Sequence, residues 1–237
     1  MGGQYIEPVP IASPFAALPG LCSLCGDWGR GALCTRCRSD AALTRPRCSR
    51  CAIALPAAQT LCGACSTDPP PFERTITALD YAAPWDGLIR RFKFRAQPEL
   101  ATLFAGLLRA ALHDEPAPDL ALPAPLAEAR LRERGFNQSW EIARRLGVRA
   151  EARLLLRIRD TPHQLELPPD SRAANVRGAF AVEPLRRGEI EGRRIALVDD
   201  VLTTGATAAE MARTLLAAGA ASVHLWVLAR TPAPGSA

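Results

Sequence analysis

The chain has 237 residues, of which 48% are hydrophobic and only 22% are charged, so a wholly disordered protein is excluded. The net charge is +5, and nearly all the basic residues are arginine, with Lys93 the single lysine. Apolar stretches such as 215–228 are interrupted by polar residues, and residues 1–20 lack basic residues before their apolar part. We therefore expect no membrane insertion, no signal peptide and a cytoplasmic location.

Eight cysteines occur as four Cys-x-x-Cys pairs between residues 22 and 65. Two residues between thiolates let one turn point both sulfurs at an ion, and two such turns complete a tetrahedral S₄ shell. The spacing predicts two closed, structural sites, with Zn²⁺ preferred and iron–sulfur clusters as the alternative. Sequential pairing predicts a double zinc ribbon, whereas an interleaved cross-brace stays open. The predicted ligands are Cys22, Cys25, Cys34, Cys37, Cys48, Cys51, Cys62 and Cys65.

Composition indicates five segments along the chain. Metal binding has to supply most of the folding free energy of the cysteine module, because so short a segment has few apolar residues. Five arginines between residues 36 and 50 leave a nucleic-acid surface and a rigid interaction module both open. The predicted boundaries are a flexible N-terminal tail at 1–20, the cysteine module at 21–66, a Pro-rich linker at 67–73, a larger domain at 74–230 and a C-terminal tail at 231–237.

The larger domain alternates strand and helix patterns, which is typical of an α/β fold with a mostly parallel, Rossmann-like sheet and helices on both faces. Lys93 lies between two aromatic residues, and we expect a lysine that extends from an amphipathic helix to solvent, in preference to an anion ligand. Strands are predicted at 75–81, 120–122, 154–158 and 195–198, and helices at 85–95, 99–113, 137–146 and from 206 to a stop at Gly219.

Two polar stretches suit an anionic ligand. Residues 130–160 contain nine arginines against four acids, although a solvated helix face explains that surplus more simply. Residues 161–178 form a long, Pro-rich polar stretch. Because loops of that length in compact domains are often lids, Gln164, Arg172 and Asn175 are expected to clamp a polyanion there.

The most informative stretch is Ile195-Ala-Leu-Val-Asp-Asp-Val-Leu-Thr-Thr-Gly-Ala-Thr207. It predicts a buried strand with Asp199 and Asp200 at its carboxyl end, where open α/β sheets bind ligands. The following turn directs main-chain N–H groups and hydroxyls toward the N-terminus of a helix, which suits a phosphate. Acids beside an anion site indicate a ligand with both phosphate and hydroxyls, or phosphate with Mg²⁺.

This run resembles the phosphoribosyl pyrophosphate (PRPP) motif of type I phosphoribosyltransferases. The resemblance implies that Asp199 and Asp200 hold the ribose hydroxyls. It also implies that the loop residues bind the 5′-phosphate, namely Thr203, Thr204, Gly205, Ala206 and Thr207. An ordinary strand–turn–helix unit with N-capping threonines explains Thr203 and Thr204 but leaves the paired acids without a purpose.

Flanking motifs make the resemblance more specific. The chain contains, in order, Leu88-x-x-x-Phe92-Lys-Phe94, Pro123-x-Pro125-Leu126 and Arg134-Gly-Phe-Asn-Gln138. With the cysteine module and the PRPP motif, these resemble the competence protein F (ComF) family over about residues 22–230. That family is tied to natural transformation and to the use of external DNA. One departure is Ala127, where family members usually carry histidine, so no role of that histidine is transferred.

The resemblance implies a site that positions PRPP while pyrophosphate leaves C1 of the ribose, with Mg²⁺ accompanying PRPP. Pro123, Ala124, Pro125 and Leu126 occupy the place of the pyrophosphate-binding loop. Arg132 and Arg134 are candidate clamps, and Arg172 is a further one. The expected catalytic set is Asp199, Asp200 and Arg134.

Two functional classes follow. The first is a phosphoribosyltransferase of unknown acceptor that acts in DNA uptake or in the use of external DNA. The second is a non-catalytic PRPP-sensing adaptor that binds single-stranded DNA or DNA-uptake proteins. The few residues after Thr231 offer little material for an acceptor-binding hood, which leaves the acceptor open.

Overall fold

A computed structural model describes residues 19–41, 45–56, 59–159 and 175–233. The contacts divide the chain into two compact units, Met1–Asp40 and Ala41–Ala237. The division falls inside the predicted cysteine module, so the second group of four cysteines lies in the larger unit. Among the helices of these residues, none is both long enough and apolar enough to span a membrane.

The smaller unit contains a short antiparallel hairpin. Strand β1 (Pro19–Leu21) pairs with β2 (Trp28–Arg30), and helix α1 (Thr35–Ala41) follows. The main-chain N–H of Cys22 donates to the carbonyl of Asp27 at 2.8 Å, which closes the turn that carries the first Cys-x-x-Cys pair.

The larger unit alternates strands and helices, as the sequence predicts. In chain order its α-helices and strands are α2 (Gly63–Thr67), β3 (Arg74–Asp80), α3 (Trp85–Phe94), α4 (Leu100–Ala111), β4 (Leu120–Pro123), α5 (Glu128–Arg134), α6 (Gln138–Ala143), β5 (Leu155–Arg157), β6 (Phe180–Val182), β7 (Arg194–Leu202), α7 (Ala206–Ala217) and β8 (Ser222–Arg230). A 3₁₀ helix at Pro184–Glu189 lies between its fourth and fifth strands, which are β6 and β7 in the order of the chain.

The central sheet has four strands in the order β3-β8-β7-β4, and every neighbouring pair is parallel. Strands β5 and β6 form a separate antiparallel pair. Strand β7 is longer than predicted, because its pairing with β8 continues to Leu202 opposite Arg230. Asp199 and Asp200 therefore lie within the last part of the strand, and two further strand residues separate them from the loop.

Helices cover both faces of the sheet, which confirms the predicted layering. Leu197 and Leu225 belong to a buried cluster with Met211 and Leu215 of α7. Their neighbours along the strands point to the opposite face, because side chains alternate in a β-strand. There α4 packs on β3 and β8, and α6 packs on β4 and β7.

Candidate functional site

A cleft of about 530 Å³ opens at the carboxyl ends of β3, β4 and β7. Because these strands are parallel, their carboxyl ends meet at one edge of the sheet, where α/β proteins bind ligands. The predicted PRPP motif and the predicted pyrophosphate loop both line this cleft. Its lining consists of Tyr81, Arg90, Lys93, Phe94, Ala124, Pro125, Leu126, Arg130, Arg134, Ser139, Arg157 and the stretch from Asp199 to Ala208.

The two acids are held by side chains from two helices. Ser139 of α6 donates its Oγ hydrogen to Asp199 Oδ1 at 3.0 Å, and that oxygen also accepts the Asp200 N–H at 2.8 Å. Lys93 Nζ of α3 lies 2.8 Å from Asp200 Oδ1. The Lys93 side chain is 16% exposed, so the expectation of a lysine extending to solvent is wrong. This lysine is an ion-pair partner inside the cleft.

The surroundings of Asp199 favour its protonated form. Burial, followed by the neighbouring Asp200 carboxylate, raises the pKa of Asp199 to about 7. Lys93, the Asp200 N–H and Ser139 act in the opposite direction by stabilising the ionised form. A carboxyl group with a pKa near neutrality can release its proton when a ligand adds hydrogen-bond donors to its carboxylate.

The loop after β7 leads directly into the N-terminus of α7. Gly205 precedes the helix with φ +85°, a left-handed conformation that costs a glycine little and other residues more. The Thr204 hydroxyl accepts the Ala206 N–H at 3.4 Å. The first turn of a helix presents N–H groups without intrahelical acceptors, so the 12-residue α7 directs donors and the positive end of its dipole at the cleft.

The Arg134–Gln138 segment forms the turn between α5 and α6. Gly135 ends α5 with φ +75°. Asn137 caps α6 by accepting the Trp140 N–H at 3.2 Å, and it donates from Nδ2 to the Ala124 carbonyl at 3.0 Å. This turn therefore fixes the loop after β4 and places Ser139 beside Asp199.

Arg134 faces the cleft. Its guanidinium lies 5.0 Å from the centre of the Phe94 ring, and Nη1 donates to Gln138 Oε1 at 3.1 Å. The Nε atom is buried and has no hydrogen-bond partner within the described ranges. A buried donor without a partner suits an anionic ligand, because leaving it unpaired is costly.

Of the other residues predicted to contact the anion, some line the cleft and others do not. Ala124, Pro125 and Leu126 line the cleft, whereas Pro123 is the buried last residue of β4. Arg132 lies on the exposed side of α5, where it pairs with Glu128 at 74% side-chain exposure and does not line the cleft. Arg172 and Gln164 fall outside the described residues.

Among the described residues, five cationic side chains line the cleft against two carboxylates, which gives a formal surplus of three positive charges. The sequence predicts a role for Arg134 and a solvent-directed Lys93, and it singles out none of the other three cations. Ser139 is not predicted either, although it directly follows the Arg134–Gln138 segment. The signals for Lys93 are its place in the Leu88-x-x-x-Phe92-Lys-Phe94 motif and its being the only lysine of the chain. The four cations without a predicted role in the site are Arg90, Lys93, Arg130 and Arg157.

The cysteines form two groups of four in sequential order, which excludes the interleaved arrangement. The first holds Cys22, Cys25, Cys34 and Cys37, and the second holds Cys48, Cys51, Cys62 and Cys65, each with its sulfurs within 4.8 Å of one another. The Cys25–Cys34 sulfurs are 3.7 Å apart and the Cys51–Cys62 sulfurs 3.6 Å. Tetrahedral Zn–S bonds of about 2.3 Å require separations of about 3.8 Å, so both groups fit structural zinc.

In each group, the surroundings of one cysteine lower the pKa of its thiol and favour the thiolate form. Burial of Cys22 opposes the charged form, but main-chain N–H groups of Cys25, Cys34 and Leu24 outweigh it and lower the pKa to about 6. In the second group, the corresponding balance lowers the pKa of Cys48 to about 7. Thiolate is the form that binds zinc, so each site has a ready first ligand.

Comparison with known families agrees with this geometry. Residues 135–236 match the family described as "Phosphoribosyl transferase domain", and residues 16–66 match "Double zinc ribbon domain". The fold and site define a protein of the type I phosphoribosyltransferase fold with an N-terminal double zinc ribbon. The chain is also similar to a solved structure titled as the allosteric regulatory enzyme of purine biosynthesis. The match covers 59% of this chain and 30% of that protein, at 21% identity and a TM-score of 0.39.

Two relatives that match most of the chain identify its family more specifically. The "DNA utilization protein YhgH" of Escherichia coli O6:H1 is 36% identical over 230 residues, which cover 90% of this chain and 98% of that protein. The "Competence protein F" of Haemophilus influenzae is 31% identical over 85% of this chain and 91% of its own. The chain belongs to the competence protein F family.

Proposed function

We propose that the cleft binds PRPP and that the protein transfers its phosphoribosyl group to an acceptor in the handling of incoming DNA. The observation that carries the proposal is the position of the Asp199–Asp200 pair beside the N-terminus of α7 in one cleft. Carboxylates accept hydrogen bonds from hydroxyls, and a helix N-terminus binds phosphate. Ribose 5-phosphate carries both groups.

The ribose 2′- and 3′-hydroxyls donate to Asp199 and Asp200. The main-chain N–H groups and hydroxyls of the loop 203–207 hold the 5′-phosphate. Ser139 and Lys93 are positioning residues, since they orient the two acids from α6 and α3. This arrangement fixes the sugar with its C1 directed toward the loop after β4.

The pyrophosphate end of PRPP lies along Ala124–Leu126. Arg134 contributes a buried Nε without a partner in the described chain, and the positive surplus of the cleft favours a polyanion. PRPP enters as its Mg²⁺ complex. In the reaction the C1–O bond breaks, pyrophosphate leaves with the bonding electron pair, and a lone pair of the acceptor forms the new bond to C1. The chain's residues supply positioning and charge stabilisation.

The names of the relatives support the proposed process. Proteins called "DNA utilization protein" and "Competence protein F" match 85% or more of this chain. We infer a role in DNA uptake, natural transformation or the use of external DNA, with a cytoplasmic location. The acceptor is left open, and single-stranded DNA and DNA-uptake proteins are the proposed partners.

Incubation of the purified protein with Mg²⁺, PRPP and a panel of nucleobases, nucleosides and single-stranded DNA tests the proposal. Acceptor-dependent release of pyrophosphate, lost in the Arg134→Met variant, is the expected result. PRPP binding without acceptor-dependent release identifies a PRPP-sensing adaptor instead. No PRPP binding by calorimetry contradicts both functions.

A further inference from the structure

The segment that carries the second group of cysteines is hydrogen-bonded to β3, an edge strand of the central sheet, and to the residues just before it. The Thr75 N–H donates to the Ser49 carbonyl at 3.1 Å, and Arg50 Nη1 donates to the Phe72 carbonyl at 3.1 Å. Arg47 Nη1 lies 2.9 Å from Asp80 Oδ1 at the end of β3. All these residues belong to the unit Ala41–Ala237, so the second zinc site and the cleft share one compact unit.

Arg230, the last residue of β8, connects this site to the loop of the cleft. Its Nε donates to the carbonyl of Cys51, a zinc ligand, at 2.8 Å. Its Nη1 donates to the carbonyl of Leu202 at 3.0 Å and to that of Thr203 at 2.6 Å. Arg230 is only 8% exposed, and each of these acceptors is a main-chain carbonyl. The guanidinium therefore joins two main-chain segments that are distant in sequence.

The hydrogen bonds of Arg230 reach Thr203, the first residue of the loop 203–207. The Thr231 N–H also donates to the Leu202 carbonyl at 3.0 Å. A zinc ion that fixes the four thiolates fixes the Cys51 carbonyl as well, because this carbonyl belongs to a ligand residue. The planar guanidinium has donors in a rigid fork, so a displaced Cys51 carbonyl reorients the group that holds Leu202 and Thr203.

We propose that Arg230 is a positioning residue that couples occupancy of the second zinc site to the conformation of the loop 203–207. The first site lies in the unit Met1–Asp40 and serves as the comparison for the second. Because coupling between two binding events is reciprocal, a ligand on the loop also raises the affinity of the second site for zinc. The effect of zinc on the loop operates in the free protein, and only the effect of a ligand on zinc affinity rests on the proposed binding of PRPP.

Hydrogen exchange of the ligand-free full chain tests the coupling without any substrate. Cys51→Ser removes a ligand of the second site, and Cys34→Ser is the matched change in the first. Arg230→Gln keeps all eight thiolates but removes the guanidinium group. Its control is Arg187→Gln, which removes an exposed arginine that donates to the Ala217 carbonyl. Zinc content is measured for each variant.

We expect amide exchange in residues 203–207 to rise about tenfold or more in Cys51→Ser and Arg230→Gln, because hydrogen bonds to a charged donor are strong. Cys34→Ser and Arg187→Gln leave it unchanged, and Arg230→Lys gives a smaller increase. Unchanged loop exchange in Arg230→Gln overturns the proposal even where Cys51→Ser fails to fold. An equal increase throughout β7 and β8 also overturns it, because that reports general destabilisation.

The reciprocal arm measures the equilibrium transfer of zinc to a chromophoric chelator with and without PRPP. PRPP is expected to reduce the transfer of one zinc of two in the wild type and to lose this effect in Arg230→Gln. PRPP that calorimetry shows to be bound, yet that leaves the zinc affinity unchanged, contradicts the coupling. Absence of PRPP binding contradicts the proposed function instead, and the loop exchange of the free protein then decides the coupling alone.

Discussion

Lys93 Nζ lies 2.8 Å from Asp200 Oδ1, and both side chains are largely buried where β7 approaches the cleft. A buried ion pair contributes little net stability, but removal of one partner leaves an uncompensated charge. Asp200 therefore depends on a lysine more than 100 residues earlier in the chain. This pair orients one of the two carboxylates proposed to hold the ribose.

Replacement of this lysine is predicted to destabilise the protein. Lys93→Met lowers the free energy of unfolding by about 3–5 kcal/mol, because the Asp200 carboxylate is left buried and unpaired. Addition of Asp200→Asn recovers most of the loss. The control is Arg90→Met on the same helix, whose side chain is 65% exposed beside Asp86 and whose removal costs less than about 1 kcal/mol. Urea denaturation measures all four proteins, and equal losses in the two single variants would contradict the pairing.

The contribution of Asp199 to stability is predicted to fall as the pH rises from about 4 to 7. Burial and the Asp200 carboxylate raise the pKa of Asp199 to about 7, so the folded state keeps a proton that the unfolded state releases. This group contributes a slope of at most about 1.4 kcal/mol per pH unit, which falls to half near pH 7 and to almost none by about pH 8. Denaturation of wild type and Asp199→Asn across this range measures the difference. Parallel pH profiles for the two proteins would show that Asp199 titrates normally.

The hydroxyl of Ser139 is predicted to support ligand binding. Ser139→Ala removes the 3.0 Å hydrogen bond to Asp199 and weakens PRPP binding about tenfold or more, because a bond to a charged group is worth about 1.5–3 kcal/mol. Thr214→Val removes a hydroxyl that donates to the Glu210 carbonyl on α7 and serves as the control. Isothermal titration calorimetry is the measurement, and equal affinities in both variants would remove Ser139 from the site.

Alanine substitution of two glycines in the same backbone conformation distinguishes an effect on stability from an effect on PRPP binding. Gly205 in the loop has φ +85° and Gly147, outside the cleft, has φ +80°. Alanine at either position costs about 1–2 kcal/mol of stability, because the left-handed conformation places Cβ too close to the carbonyl oxygen. Only Gly205→Ala is expected to reduce PRPP affinity as well. A similar loss of affinity in Gly147→Ala would indicate a general effect of destabilisation.

Features whose residues are neighbours in sequence were predictable. The cysteine pairs and the stretch Ile195–Thr207 carry their chemistry within short spacings, so the ligands and the strand–loop–helix order followed directly. The partners of the acids did not, because Lys93 and Ser139 reach them only through the packing of α3 and α6. Likewise, β7 extends past Asp200 because of its pairing with β8, which local hydrophobicity does not encode.

The role of Arg230 illustrates the same limit. In sequence it ends an apolar strand, with no motif around it. Its contacts with Cys51 and Thr203 depend on the order of β3, β8 and β7 in the sheet. The predicted boundary between the cysteine module and the larger domain also differs from the division between compact units, which falls between Asp40 and Ala41 and leaves the second cysteine group in the larger unit.

Calorimetric titration of PRPP with Mg²⁺ into the wild type and into the Asp199→Asn, Asp200→Asn double variant tests the central claim most directly. We expect saturable binding to the wild type and none to the double variant, with zinc content and the circular dichroism spectrum unchanged. Equal affinity of the two proteins for PRPP would contradict the assignment of the acid pair to the ribose.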